Sequence, residues 1–397
     1  MFRPATRLAA GTLILALPLA AAAGCGVQKK LTIKAEFASA GSNLSSSKAV
    51  SFTLSLEDRR GKLAALAKTD HAGVVADTAL ASSITLTIDP AGARTLADLS
   101  GKGSCDATKK ATPSDVSAAL KKVNVGIVVK DATSALGELR LVDGALYAHV
   151  DLKQIGVLAK KGGVEDFDTS VDHAITSAGP KFSQALTDAR DGKWLTLDLA
   201  RYAGKFSDLA KNFTSQFQTQ TGTSTTAMCA GAKDLSKNLV TALKPYVKVT
   251  DANDSSSDRV LDVDVKVRPA LKAALNVVKA AKGLPFGKLL SGLQPADVDS
   301  SVADGSARGT ITLKDGHLTQ FAVDIESIRR LDPHAGKNDL TGSFVVLDVN
   351  DHADALTAPS DVSTFDVGAL LDDLLNSFTR GFSSSASSGT GVAIQNG

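Results

Sequence analysis

The chain is short of the residues that usually announce chemistry. Its 397 residues include three cysteines, two methionines, one tryptophan, three tyrosines and six histidines. None of His71, His149, His173, His317, His334 and His352 stands in an HExxH or HxxxH pair. Local zinc motifs are therefore lacking, and no metal or cofactor is expected. GxSxG, Walker and GxGxxG elements are missing as well, which removes the common signatures of serine hydrolases and of nucleotide and dinucleotide sites. Charge of one sign is not in excess, with 44 Lys+Arg against 42 Asp+Glu. No basic excess suggests nucleic acid, and no long charge block suggests an acidic or basic tail. Long apolar runs are absent with one exception, at the start.

Leu8 to Ala23 carry no charge, contain Pro18, and follow Arg3 and Arg7. The run is too short for a spanning helix with a loop on each side. A positive segment, an apolar segment and a small-residue junction together make an export signal. The junction, LAAAAGCG over 19–26, ends in Cys25. Ala22-Ala23-Gly24-Cys25 resembles the bacterial lipobox, which implies a diacylglycerol on the Cys25 thiol and cleavage just before it. Residues 1–24 are then a lipoprotein signal peptide, and the mature chain is lipid-anchored on the extracytoplasmic face of the cell membrane. The alternative is an ordinary signal peptide cut near Ala23. One acyl chain holds a protein to a bilayer only weakly, whereas two or more make attachment lasting.

Residues 25–30 are expected to form a short lipidated tether. Alternation of apolar residues begins at Leu31, so at about 3.5 Å per residue the tether reaches roughly 20 Å and holds the protein close to the bilayer. Lys29, Lys30 and Lys34 lie nearby, either solvated or against anionic head groups. The main region, 31–381, is long enough to bury about three quarters of its unfolded surface as one unit or as two sub-lobes. Once Cys25 is acylated, Cys105 and Cys229 are the remaining thiols. In an exported chain two such residues favour a disulfide, with two unpaired buried side chains as the alternative. Closing so long a loop could stabilise the fold by about 4–5 kcal/mol on chain-entropy grounds.

Period-2 alternation is the strongest pattern in the main region. It runs through Val50-Phe52-Leu54-Leu56, Ile84-Leu86-Ile88, Val123-Val125-Ile127-Val129 and Leu261-Val263-Val265-Val267. Such strands have one wet and one dry face, as in an antiparallel sheet covered on one side. GELRLVDGALYAHVDL (137–152) and GTITLKDGHLTQFAVDI (309–325) read as hairpins turning at Asp143-Gly144 and Asp315-Gly316. Each has a glycine six residues before the turn aspartate, a faint internal repeat. Further strands are expected near 31–37, 194–199, 246–250 and 343–349, for eleven or twelve in all.

Between the strands lie amphipathic helices. Phe206, Phe213 and Phe217 share a helical face and are candidate cavity-lining residues. Pro269 suits the first turn of another helix. A last helix is expected from Phe365 to Phe378 with Ser363 and Asp366 as capping pair. Ser/Gly-rich residues 382–397 are expected to be disordered. Two motifs fall short of sites. Ser45-Ser46-Ser47-Lys48 satisfies a bare SxxK but lacks the SDN and KTG companions. DANDSSSDRVLD (251–262) has EF-hand-like oxygens, yet Ser256 replaces the required glycine and Asp262 the closing glutamate, so a hairpin turn is the better reading. No acid, base or nucleophile constellation is present, and no catalysis is expected.

With its lipobox, DGALYAHVDL, GKWLTLDL (192–199) and LKDGHLTQFAVDI (313–325), the chain resembles actinobacterial lipoproteins with a LolA-like fold, relatives of the mycobacterial lipid-carrier lipoproteins. The resemblance implies an α+β fold. A curved antiparallel half-barrel would have helices over its concave apolar face, with a cavity for acyl chains of lipids or lipoglycans. It implies lipid binding or transfer at the membrane. The other reading is a non-enzymatic envelope scaffold or sensor accessory acting through a protein partner. A transporter's solute-binding protein fits less well, since that class alternates strands and helices in parallel-sheet lobes.

Overall fold

The computed structural model describes residues 28–69, 78, 80–91, 95–99, 113–132, 134–199, 202, 234–235, 237–253, 258–281, 294–336 and 338–364. The expected signal peptide, Cys25, Cys105, Cys229, Phe206, Phe213, Phe217, the last helix and the Ser/Gly-rich tail lie outside these residues.

The protein is α+β, built on one open sheet of 12 strands. In chain order the strands are β1 (Val50–Asp58), β2 (Ser83–Asp89), β3 (Asn124–Lys130), β4 (Ala135–Val142), β5 (Ala145–Val150), β6 (Trp194–Asp198), β7 (Val247–Asn253), β8 (Asp258–Lys266), β9 (Ser306–Lys314), β10 (His317–Asp324), β11 (Ser343–Asn350) and β12 (Val362–Thr364). Their spatial order is β12-β6-β5-β4-β3-β2-β1-β11-β10-β9-β8-β7. Two meanders, β1–β6 and β7–β11, thus meet at a seam where β1 pairs antiparallel with β11, from Ser51 opposite Asn350 to Asp58 opposite Ser343. All pairings are antiparallel except β12 with β6.

Helices punctuate the strands: α1 (Gln28–Ser46), α2 (Lys62–Thr69), α3 (Leu96–Leu99), α4 (Pro113–Leu120), α5 (Leu152–Lys161), α6 (Phe167–Ser177), α7 (Pro180–Arg190), α8 (Val267–Ala280), α9 (Pro295–Ser301) and α10 (Ile325–Arg329). Pro269 does stand in the first turn of α8, where its missing N–H costs little. Both Asp-Gly turns form as expected. Asp143 and Asp315 take φ of 52° and 49°, and Gly144 and Gly316 take 83° and 77°. Two successive left-handed residues match the right-handed twist of the flanking strands.

Two expectations are corrected. Residues 31–37 belong to α1, not to a strand, so the helix begins at Gln28, within the expected tether. Seven residues of alternation are outweighed by the continuing Phe37-Ala40-Leu44 spacing, which is helical, and by the alanines, good helix formers, at 35, 38 and 40. Ser363, expected as a cap, lies in β12 and donates its hydroxyl to Asp188 at 2.6 Å.

The strand registers carry one apolar face across ten strands. Leu195 lies beside Ala148, Ala148 opposite Leu139, Leu139 opposite Ile127, Ile127 opposite Leu86, and Leu86 opposite Phe52. Past the seam, Leu54 faces Leu347, which faces Phe321, then Ile311, then Leu261. The other face is polar, with Thr53 bonded to Thr85 at 3.0 Å and Glu138, Arg140, Tyr147 and His149 in register further along. Residues 351–361 cross that polar face as a strap from β11 to β12. Asp89 accepts from the Leu356 N–H at 2.9 Å, Arg140 donates to the Thr357 carbonyl at 3.0 Å, and the Leu356 side chain lies over Gly126. A Cβ on Gly126 would stand 3.0 Å from Leu356 Cδ2, so this glycine makes room for the strap.

Candidate functional site

Cover on the apolar face is uneven, and the unevenness defines the candidate site. At the β7–β10 end, α1 sets Phe37 and Ala40 on Leu261, Ile311, Leu313 and Phe321. There α8 sets Ala270 and Ala274 on Val265, joined by Leu239 and Leu243 from helical residues 237–243. Leu261 and Ile311 are consequently 0% and 1% exposed. This end is packed solid. The apolar hollow at Val263, Gly309, Phe321 and Val323 measures about 40 Å³, whereas sites for ligands of drug size run to roughly 300 Å³ or more.

The same face is open over β2–β5. Ile84 is 46%, Leu139 40%, Ile127 39% and Val150 37% exposed. Ile127 and Leu139 are direct cross-strand neighbours, while Ile84 and Val150 lie on flanking strands one register step away. Isolated exposed leucines need no explanation, but a contiguous patch on a sheet face marks a surface that meets something apolar.

On the opposite face the pairing of β5 with β6 brings the GKWLTLDL and DGALYAHV segments together. The His149 and Trp194 rings stand 5.2 Å apart, and the Arg140 guanidinium lies 4.7 Å from the Trp194 ring centroid. Glu138 pairs with Arg140 at 2.5 Å. Arg140 is thereby committed to Glu138, Trp194 and the strap, which makes this cluster a fastening for residues 351–361. Beside it, Asp188 accepts from Ser363, Lys193 and Gln184. These bonds, Ser363 first and Lys193 next, hold its carboxyl below the usual aspartate range although burial opposes them.

One residue of each weak motif has a structural partner. Ser45 donates to the Ser42 carbonyl at the end of α1, at 2.9 Å. Asp251, first of the EF-hand-like oxygens, pairs with Arg259 at 3.2 Å inside the β7–β8 hairpin.

One cluster was not legible in the sequence. His317 opens β10, and Asp351 and His352 follow β11 directly. Gln320 opposes Asp348, and continuing that register sets Asp351 against His317. His317 Nδ1 and Asp351 Oδ2 are 2.6 Å apart, and His352 Nε2 lies 3.8 Å from Asp351 Oδ1. The three offer ligand atoms within 4.8 Å of one another, the one such group of metal-ligating side chains among the described residues. No sequence motif could reveal it, because the pairing register rather than local spacing joins residues 34 apart.

No protein-family model matches the chain, and no curated protein matches it. Among the described residues no helix is long and apolar enough to cross a membrane.

Proposed function

We propose that the protein is a lipoprotein anchored through Cys25 on the extracytoplasmic face of the cell membrane, holding acyl chains of lipids or lipoglycans against the open apolar face of β2–β5 without catalysing a reaction. The observation that carries this reading is the uncovered patch of Ile84, Ile127, Leu139 and Val150, continuous with a face that is fully buried at Leu261 and Ile311. Taking a side chain of this kind out of water stabilises by about 1.5–3 kcal/mol when burial is complete. An acyl chain laid along four of them recovers a useful part of that. The export signal and lipobox-type junction support an occupant from the bilayer. So does α1, which begins three residues after Cys25 and packs on the same sheet face. A LolA-like half-barrel enclosing the chains would extend this reading. The solid packing at Leu261 and Ile311 supports looking for such space at the β2–β5 end.

The test uses the full chain purified in detergent, followed by organic extraction, mass spectrometry and titration with a fluorescent fatty acid. Co-purifying lipid and saturable binding are expected. Leu139→Asp should lower binding about tenfold or more while the urea midpoint stays within the range of a surface substitution. Empty protein that binds no fatty acid overturns the proposal. Stoichiometric recovery of a protein partner without lipid would replace it with the scaffold reading.

A further inference from the structure

We propose that His317, Asp351 and His352 form a binding site for a borderline divalent cation of the Zn²⁺ class. Two imidazoles and one carboxylate are the donor set such ions take in sites with three protein ligands and an open fourth position. The geometry is close to that arrangement. Metal–ligand distances near 2.0–2.2 Å place tetrahedral ligand atoms roughly 3.3–3.5 Å from one another. Here His317 Nδ1 stands 2.6 Å from Asp351 Oδ2 and His352 Nε2 3.8 Å from Asp351 Oδ1, and the three ligand atoms lie within 4.8 Å of one another. Reaching tetrahedral spacing needs shifts of about 1–1.5 Å. His352, whose side chain is 79% exposed, is free to make them.

The surroundings favour a cation on three counts. Asp351 is buried to 7% exposure and opposite His317, so its carboxylate is held in place before any ion arrives. Buried carboxylates are expensive without a positive partner. The C-terminal turn of the 19-residue helix α1 closes one side, pinned to the hairpin by the bond from Asn43 Nδ2 to the Gly316 carbonyl at 2.9 Å. That end of a helix carries the negative end of the backbone dipole. Ser46 and Ser47, which donate their protons to the Asn43 carbonyl at 3.0 and 2.8 Å, retain oxygen lone pairs. They line a hollow of about 400 Å³ with the three ligands, roomy enough for the ion's remaining water. The opposing group is Lys48, whose charge at the rim of the same hollow weakens binding without occupying a ligand position.

Such an ion would tie the start of β10 to the segment leaving β11, beside the C-terminal turn of α1. Its binding does not depend on the lipid reading.

The experiment is a titration of the full chain, stripped with chelator, against Zn²⁺ by calorimetry and against Co²⁺ by visible absorption. One equivalent should bind, with the intense visible bands of a tetrahedral cobalt complex that Zn²⁺ abolishes. His352→Ala, at an exposed position that leaves the fold intact, should weaken binding at least as much as the roughly 10–100-fold that loss of an outer-shell partner costs. Lys48→Ala should tighten it. Absence of saturable binding, or affinity unchanged in both His352→Ala and Asp351→Asn, overturns the site.

Discussion

The two Asp-Gly hairpins are the same device placed in two different settings. Each has a glycine six residues before the turn, a left-handed Asp-Gly pair, and an aspartate at the end of the second strand or just past it that caps a helix. Asp151 accepts from the Gln154 N–H to start α5, and Asp324 from the Glu326 N–H to start α10. Their inward residues are chemically alike, yet Leu139 is 40% exposed where Ile311 is 1% exposed. The cover differs: α1 packs on β10 of the second hairpin and buries its inward side chains, whereas α5, which touches β4 of the first, leaves Leu139 exposed. Local sequence built the hairpins. The element laid across them from elsewhere in the chain decided which becomes core and which stays open.

The sharpest way to break that comparison is to truncate matched side chains. Ile311→Ala should cost about 2–5 kcal/mol, since it removes buried atoms and leaves a cavity. Leu139→Ala should cost well under about 1 kcal/mol, as expected for a half-exposed site. Urea unfolding of the two variants reads the difference, and equal costs would mean the first hairpin is covered after all.

A second contrast lies in the paired glycines. A Cβ at Gly309 would stand 2.5 Å from the Ala322 carbonyl oxygen, a backbone atom that cannot rotate away, whereas at Gly137 the nearest atom is the His149 carbonyl oxygen at 3.7 Å. Gly309→Ala should therefore destabilise by roughly 1–3 kcal/mol, and Gly137→Ala should be neutral or slightly stabilising.

The two hairpins also lead into different structures. The first runs on into α5, α6 and α7 before β6; the second enters one short turn of helix locked by Glu326. That carboxylate is 5% exposed and takes Arg329 at 2.7 and 2.8 Å, Arg330 at 2.7 Å and the Leu340 N–H at 3.0 Å. Arg329 above all, then Arg330 and the Leu340 amide, lower its pKa from 4.5 to about 2 against the opposing effect of burial. A carboxylate depressed on folding contributes its stability fully above the unfolded value and loses it as pH falls through the folded one. The contribution of Glu326 should thus be complete above about pH 4.5 and vanish toward pH 2. Glu326→Gln should cost about 2 kcal/mol at neutral pH, as an ionic hydrogen-bond network is lost. Its midpoint should approach that of the parent protein as the pH is lowered through that window. The smallest effect is expected at the caps, where Asp151→Ala and Asp324→Ala should each cost about 1 kcal/mol. Thermal unfolding would show whether the two positions are equivalent.

Much of the sheet was legible because alternation and Asp-Gly turns are local signals. Val50–Leu56, Ile84–Ile88 and Leu261–Val265 fall where their periodicity put them, while Val267, the last of that alternation, opens α8. Residues 31–37 misled because a short alternating stretch can also supply one face of a helix, and only Phe37, Ala40 and Leu44 together reveal which. The seam between β1 and β11, the parallel β12 and the meeting of His317 with Asp351 were illegible for a different reason. Each depends on a pairing between segments far apart in the chain, and nothing in either segment encodes its neighbour.

The seam bears on the integrity of the molecule. Because β1 lies between β2 and β11, and β12 crosses back to β6, each meander contributes a strand to the other's flank. A chain severed between Tyr202 and Asp234 would still be sewn together by eight residue pairs along β1 and β11 and by the returning terminal strand. The two pieces, made separately, should therefore find each other and reassemble.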